Sequence, residues 1–281
     1  MYTKIHIWKR FTLALFLISL FHFNVVRQNQ EETYHLGVRR GDWVEYVVKG
    51  DYYDEDITTS VMFKDNQWEH EETIRKGDKL RFEVVDIYTE EISETELLPT
   101  PFVGIVIEQE EKMVKVERAV CRIYLNGKKI GDRVLMESFT IPPPGHFYLY
   151  IFYPIEQDYW NIVEETIKKY NYRADTKMIV GAYSVSINSE YTSDLWDYSH
   201  VLLVDKTCGV TLEEKVRAVN KGFVEQVGLF EYGLHLALID TNIEGATPVE
   251  KIPWYARFWY VFPIIGITTA VFIVIKYSKR K

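Results

Sequence analysis

Hydrophobic and polar residues alternate with period two through most of the middle of this chain. Leu80, Phe82 and Val84 share one side of a run whose other side carries Arg81 and Glu83. Tyr183, Val185 and Ile187 alternate with Ser184, Ser186 and Asn188. Trp196, Tyr198, Leu202 and Val204 alternate with Asp197, Ser199 and Asp205. Val210, Leu212, Val216 and Ala218 alternate with Thr211, Glu213, Lys215 and Arg217. A strand turns successive side chains to opposite faces, so this period predicts half-buried antiparallel strands.

Turn residues punctuate the runs. Gly41-Asp42 precedes a strand predicted over 43–49, and Gly77-Asp78 precedes one over 80–88. The two sites resemble each other, RRGDWVEYVV (39–48) beside RKGDKLRFEV (75–84). Two independent turns of common chemistry explain this, and a short internal duplication is the alternative. Asn126-Gly127 between apolar runs predicts a tight hairpin. DKTCG (205–209) reads as the turn of a second hairpin. Residues 223–239 supply one or two further strands, with a break expected near Gly228 or Gly233.

Two stretches depart from this period. QDYWNIVEETIKKY (157–170) places Trp160, Val163, Ile167 and Tyr170 on one helical face, with Glu164–Lys168 and Glu165–Lys169 in the favourable order four residues apart. FYLYIFY (147–153) is continuously apolar, as a strand buried on both faces would be. It follows IPPPG (141–145), which interrupts the strands without a long linker and favours one domain over two. The fold expected is mainly β, a curved antiparallel sheet or open barrel, with the amphipathic helix across a sheet face or plugging the opening.

The ends differ from the middle. FTLALFLISLFHFNVV (11–26) follows Lys4, Lys9 and Arg10 and is short for a membrane span, so 1–27 reads as a signal peptide or an uncleaved signal anchor. FWYVFPIIGITTAVFIVI (258–275) carries no charge. Trp254, Tyr255, Trp259 and Tyr260 flank one edge, and Lys276, Lys279, Arg280 and Lys281 the other. That pattern predicts a transmembrane helix with a cytoplasmic basic tail at 276–281. The expected order is therefore a leader at 1–27, an extracellular β-rich domain at 28–240, a stalk at 241–257, the span and the tail. The localisation expected is the plasma membrane.

Charge sharpens that division. The chain of 281 residues has a net charge of −8, yet no Asp or Glu precedes Glu31 or follows Glu250. Basic residues cluster at both ends, so the middle is more acidic than the whole. A domain of this charge repels phosphate backbones, which argues against nucleic-acid binding.

The search for chemistry returns little. There is no G-x-S-x-G, no phosphate-binding glycine loop and no G-x-G-x-x-G. His70-Glu71 begins a zinc-binding H-E-x-x-H, but Ile74 holds the second His position. No enzyme and no cofactor are expected. His200 falls on an apolar face and reads as a core histidine. Asp51, Asp54, Glu55 and Asp56 offer hard oxygen ligands for Ca²⁺ without the spacing of a known loop; a solvated acidic loop is the plainer reading. WEHEE (68–72) reads likewise. Cys121 and Cys208 are the only cysteines, and one disulfide between them is the even-count option in an oxidising exterior. It would stabilise by about 4 kcal/mol on chain entropy.

The layout resembles a group of archaeal surface proteins. The carrying features are G-x-x-x-G-D-W-V-x-Y (Gly37 to Tyr46), the hairpin D-K-T-x-G-V-x-x-E (Asp205 to Glu213) and a single terminal span with a basic tail. The hairpin is also similar to that of lipoprotein-carrier folds, whose curved sheet cups helices around an apolar cavity. The resemblance implies a β-rich ectodomain and no residue-level activity. Three readings stay open: first a membrane-anchored structural or partner-binding surface protein, second a carrier or sensor of a lipophilic ligand, and last an extracellular enzyme without a local motif, which a cleft with clustered His and carboxylates would support. The second expects a cavity lined by Phe147, Tyr148, Tyr150, Phe152, Trp160 and Val163.

Overall fold

A computed structural model describes residues 33–49, 58–65, 68–93, 113–136, 139–141, 147–170, 175–192, 194, 196–221 and 230–248. The two apolar end segments and the acidic loop carrying Asp51, Asp54, Glu55 and Asp56 lie outside these residues. Among the described residues no helix is long and apolar enough to cross a membrane.

The strands are β1 (Thr33–Tyr34), β2 (Trp43–Lys49), β3 (Thr58–Asp65), β4 (Trp68–Arg75), β5 (Lys79–Ser93), β6 (Met113–Leu125) and β7 (Lys128–Leu135). There follow β8 (Thr140–Ile141), β9 (Phe147–Tyr148), β10 (Asp175–Val180), β11 (Ser184–Thr192), β12 (Trp196–Asp205), β13 (Val210–Asn220) and β14 (Phe230–Thr241). Among the described residues one helix, α1 (Gln157–Tyr170), stands between β9 and β10. All the strands join one sheet in the order β10-β11-β12-β13-β14-β2-β5-β6-β7-β3-β8-β9, with β4 added to β3 and β1 to β6. Every pairing is antiparallel except β1 with β6. The pairing of β14 with β2 joins the two ends of the described chain in one continuous sheet.

Local chemistry explains the turns. Asn126 and Gly127 have φ of 51° and 80°, as the tight hairpin between β6 and β7 requires. At both Gly-Asp sites the glycine has positive φ, 93° at Gly41 and 89° at Gly77. The aspartate N–H donates to the carbonyl three residues back, and its carboxylate accepts from that residue's N–H: Arg39 for Asp42 at 2.9 Å and Arg75 for Asp78 at 2.7 Å. The strands that follow these twin turns pair with each other, with Glu45 opposite Arg81 at the centre. The two ten-residue segments are thus related by a local twofold axis.

Two apolar clusters form the core. The first gathers Val44, Tyr46, Phe63, Leu80, Phe82, Ile123, Phe139, Val216, Leu236 and their neighbours. The second lies under α1, where Tyr159, Trp160, Val163 and Ile167 pack with Tyr34, Ile92, Val116, Val185, Ile187, Leu202 and Val204. Asp158 in the first turn and Lys168 and Lys169 in the last complement the helix dipole. Lys168 also pairs with Glu164 at 2.7 Å.

Three boundaries differ from the sequence expectation. Gly233 lies inside β14 opposite Arg217, because pairing with β13 runs from Phe230 to Ala237 and carries the strand through it. The start of the expected stalk belongs to the domain: Thr241 ends β14, Ile243 is buried, and the Asn242 side chain accepts from the Trp43 N–H at 2.7 Å. The apolar run 147–153 forms only the short strand β9 and an isolated bridge from Phe152 to Val210.

Candidate functional site

The segment after β9 divides the two clusters. Leu149, Ile151 and Phe152 enter the first, while Tyr153 enters the second and Tyr150 packs against it. This segment is tied to the start of β13. The Tyr153 N–H donates to the Gly209 carbonyl at 2.7 Å, the Thr211 N–H to the Ile151 carbonyl at 3.0 Å, and the Thr211 hydroxyl to the Tyr150 carbonyl at 2.9 Å.

Glycines permit this crossing. Gly209 has φ of 68°, and a Cβ there would overlap the Tyr153 carbonyl. A Cβ on Gly37 would come within 2.5 Å of the Cys208 carbonyl oxygen. The first glycine of the Gly37–Tyr46 motif and the turn of the Asp205–Glu213 motif therefore pack on each other. Asp205 holds that turn by accepting from the Thr207 N–H at 2.8 Å and its hydroxyl at 2.6 Å.

At this crossing the inner face of the sheet carries a buried histidine–glutamate pair. His200 on β12 and Glu214 on β13 are each 1% exposed, and Nε2 lies 3.1 Å from Oε1. Glu214 is opposite Leu202 and His200 is opposite Val216, so the contact is diagonal across one ladder. Three phenols feel the Glu214 charge, each from a different element: Tyr46 on β2, Tyr153 on the crossing segment and Tyr198 on β12. The Tyr46 hydroxyl donates to the Thr211 carbonyl at 2.6 Å. Glu214 Oε2, His200 Nδ1 and the Tyr153 hydroxyl are buried with no hydrogen-bond partner.

Burial raises the Glu214 carboxyl above its ordinary range, against the opposing pull of the His200 hydrogen bond and charge. The same burial pushes all three phenols up, and the Glu214 charge adds to it. A low-dielectric interior makes an unpartnered polar group costly, so the 3.1 Å contact is what lets the two side chains be buried together.

A second pair sits on the opposite face. Glu213 turns outward, and His235 on β14 reaches it at 2.8 Å, with the Lys215 ammonium 3.3 Å from the same oxygen. The His235 bond, aided by the Lys215 charge, lowers the Glu213 carboxyl to about 2 against the opposing effect of burial. Consecutive glutamates thus fasten β13 inward to β12 and outward to β14. The alternation over 210–218 leaves Glu214 out, although a carboxylate in the apolar phase between Leu212 and Val216 is a signal that could have found it. Its contact with His200 is diagonal and needs the register.

Around the helix, Tyr159 and Trp160 stand edge to face at 5.0 Å, Tyr153 lies 5.6 Å from Trp160, and Tyr34 lies 5.7 Å from Tyr159. The Arg118 guanidinium stacks over Tyr150 at 5.0 Å. Of the six residues nominated as a cavity lining, Tyr150, Trp160 and Val163 meet at the second cluster and Phe152 lies in the first. Phe152 faces the first cluster; Trp160 and Val163 are fully buried in the second; Tyr150 is half-buried beneath Arg118. Phe147 and Tyr148 form β9, and their side chains lie outside the description.

Cys121 and Cys208 are both buried free thiols; the disulfide option is not taken. Cys121 lies opposite Val84 within the sheet and Cys208 lies in the turn before β13. Burial pushes the Cys208 thiol up to about 12 and the Cys121 thiol higher still, which leaves both unreactive as nucleophiles. The nominated Ca²⁺ ligands Asp51, Asp54, Glu55 and Asp56 lie outside the described residues. Among the described residues no three His, Cys, Asp or Glu side chains are placed to hold a metal ion.

No relative was found. Neither a family model, nor a curated protein, nor a solved structure matches the chain.

Proposed function

We propose that this is a membrane-anchored cell-surface protein whose acidic β domain serves as a structural or partner-binding module outside the cell. The observation that favours this reading over a lipophilic carrier is what occupies the inner side of the sheet. The side chains of α1 and of the 149–154 segment pack there against the strands, with Trp160, Val163, Leu149 and Ile151 wholly buried. A carrier needs apolar space that its own side chains leave open. Anchoring rests on the 258–275 segment and its basic flank.

Two measurements on the full chain test the two halves of this reading. Protease applied to intact cells is expected to remove an epitope at the N-terminal side of residue 240 and spare one at the basic tail. Loss of both, or of neither, refutes the topology. Native mass spectrometry from detergent micelles, before and after organic extraction, is expected to give a bare protein mass. A discrete extractable lipid-sized adduct refutes the closed module and restores the carrier.

A further inference from the structure

The sheet order ends at β10, whose one described strand neighbour is β11. The Gly181 N–H donates to the Ser184 carbonyl at 2.8 Å, closing the β10–β11 hairpin. Hydrogen-bonded and non-bonded pairs alternate from there, so Ile179 bonds inward to Ser186. The N–H and C=O groups of Met178 and Val180 then point off the sheet. Beside them Ile179 is 69% exposed and Tyr183 77% exposed.

The other long edge is guarded differently. β4 pairs with β3 alone and bears Trp68, Glu69 and Glu71 exposed, with Glu72 half-buried. Like-charged glutamates along an edge repel a second acidic chain. On β10 the two charges cancel, because Lys177 pairs with Asp175 at 3.0 Å. Among the described residues, an otherwise acidic domain thus has an edge that is neutral, apolar and unpaired.

We propose that β10 is a self-association edge, on which the β10 of a second copy of this chain adds antiparallel about a twofold axis at Ile179. This register satisfies each local requirement. Ile179 meets Ile179 as a non-hydrogen-bonded pair, and Met178 and Val180, the last residues before the hairpin turn, exchange backbone hydrogen bonds with their counterparts. Met178 and Val180, which already pack on the helix-side cluster, extend that apolar layer across the axis. A closed twofold pair removes the open edge from both copies.

The register makes the test specific. Both native thiols are buried, so Ile179→Cys and Asp175→Cys each place a single accessible thiol on β10. At the axis, non-bonded Cα atoms lie about 4.5 Å apart, within disulfide reach. Two copies of residue 175 lie about 27 Å apart, at about 3.4 Å per residue on either side. Mild oxidation of the detergent-solubilised full chain is expected to link Ile179→Cys at least about tenfold faster than Asp175→Cys. In sedimentation, the unmodified chain is expected to be dimeric and Ile179→Lys monomeric. An unlinked Ile179→Cys, as when a different protein or nothing occupies the edge, overturns the proposal. So does equal linking of both variants, which reports random collision.

Discussion

Replacing Glu214 by Leu tests the reading of the inner pair most directly. The change leaves His200, 1% exposed, with neither ring nitrogen bonded, since Nδ1 already has no partner and Nε2 loses its only one. Stranding a buried polar group costs about 1–3 kcal/mol. His200→Leu strands the Glu214 carboxyl instead, and breaking one side of a buried pair costs about 3–5 kcal/mol. If the two losses were independent, the double variant would lose about 6 kcal/mol, most of a domain's stability. The pair argument says otherwise. With both polar groups gone nothing is stranded, and two leucines add apolar contact beside Leu202, Leu212 and Val216. The double variant is therefore expected within about 2 kcal/mol of the parent, with a coupling of at least about 2 kcal/mol. Urea unfolding of the detergent-solubilised full chain, followed by tryptophan fluorescence, measures the cycle. Additivity within about 0.5 kcal/mol would falsify the claim that the two side chains satisfy each other. The pH dependence supplies an independent sign. A carboxyl raised by burial favours the folded state below its unfolded value of 4.5 and loses that contribution as pH rises through the folded value. The stability of the parent relative to Glu214→Gln should therefore fall as pH rises from about 4.

The outer pair has the opposite sign: Glu213, lowered to about 2 from 4.5, stabilises above 4.5 and loses that contribution as pH falls towards 2. After allowance for its partial exposure, Glu213→Gln should cost about 1 kcal/mol at neutral pH and nothing near pH 2, read from melting curves. His35, raised by its bond to Glu117 at 3.0 Å, favours folding at low pH and loses this as pH rises through its folded value. The chain with His35→Gln should therefore track the parent at alkaline pH and fall below it in acid. Gly209→Ala should cost about 3 kcal/mol, because it adds a left-handed penalty of about 1–2 kcal/mol to a clash that parts Tyr153 from Gly209. Gly41→Ala, with φ of 93° and open space around it, should cost that penalty alone; equal losses for the two would remove the crossing from the account. Trp160→Ala should cost about 3–5 kcal/mol by emptying the centre of the helix-side cluster, measured by denaturant midpoint at unchanged slope.

Residue chemistry alone determined the local structure of this protein. Period-two alternation marked β5, β11, β12 and β13, the 3.6-residue pattern placed α1 at 157–170, and Asn126-Gly127 marked its hairpin, because each depends on neighbours within a few positions. Local signals were weaker where long-range pairing holds a strand. Gly233 suggested a break, yet its pairing with Arg217 on β13 keeps β14 continuous through it. Burial of the apolar run 147–153 was legible for Leu149, Ile151, Phe152 and Tyr153. That it separates two cores and crosses against Gly209 was not, since its partners lie more than fifty residues away in sequence. Glu214 is a charge in an apolar phase that the alternation of β13 left out. Only the register between β12 and β13 brought His200 to it, and only tertiary packing set Tyr46 of β2 and Tyr153 of the crossing segment within reach of its charge. Alternation assigns a face to each side chain; long-range pairing decides what that face meets.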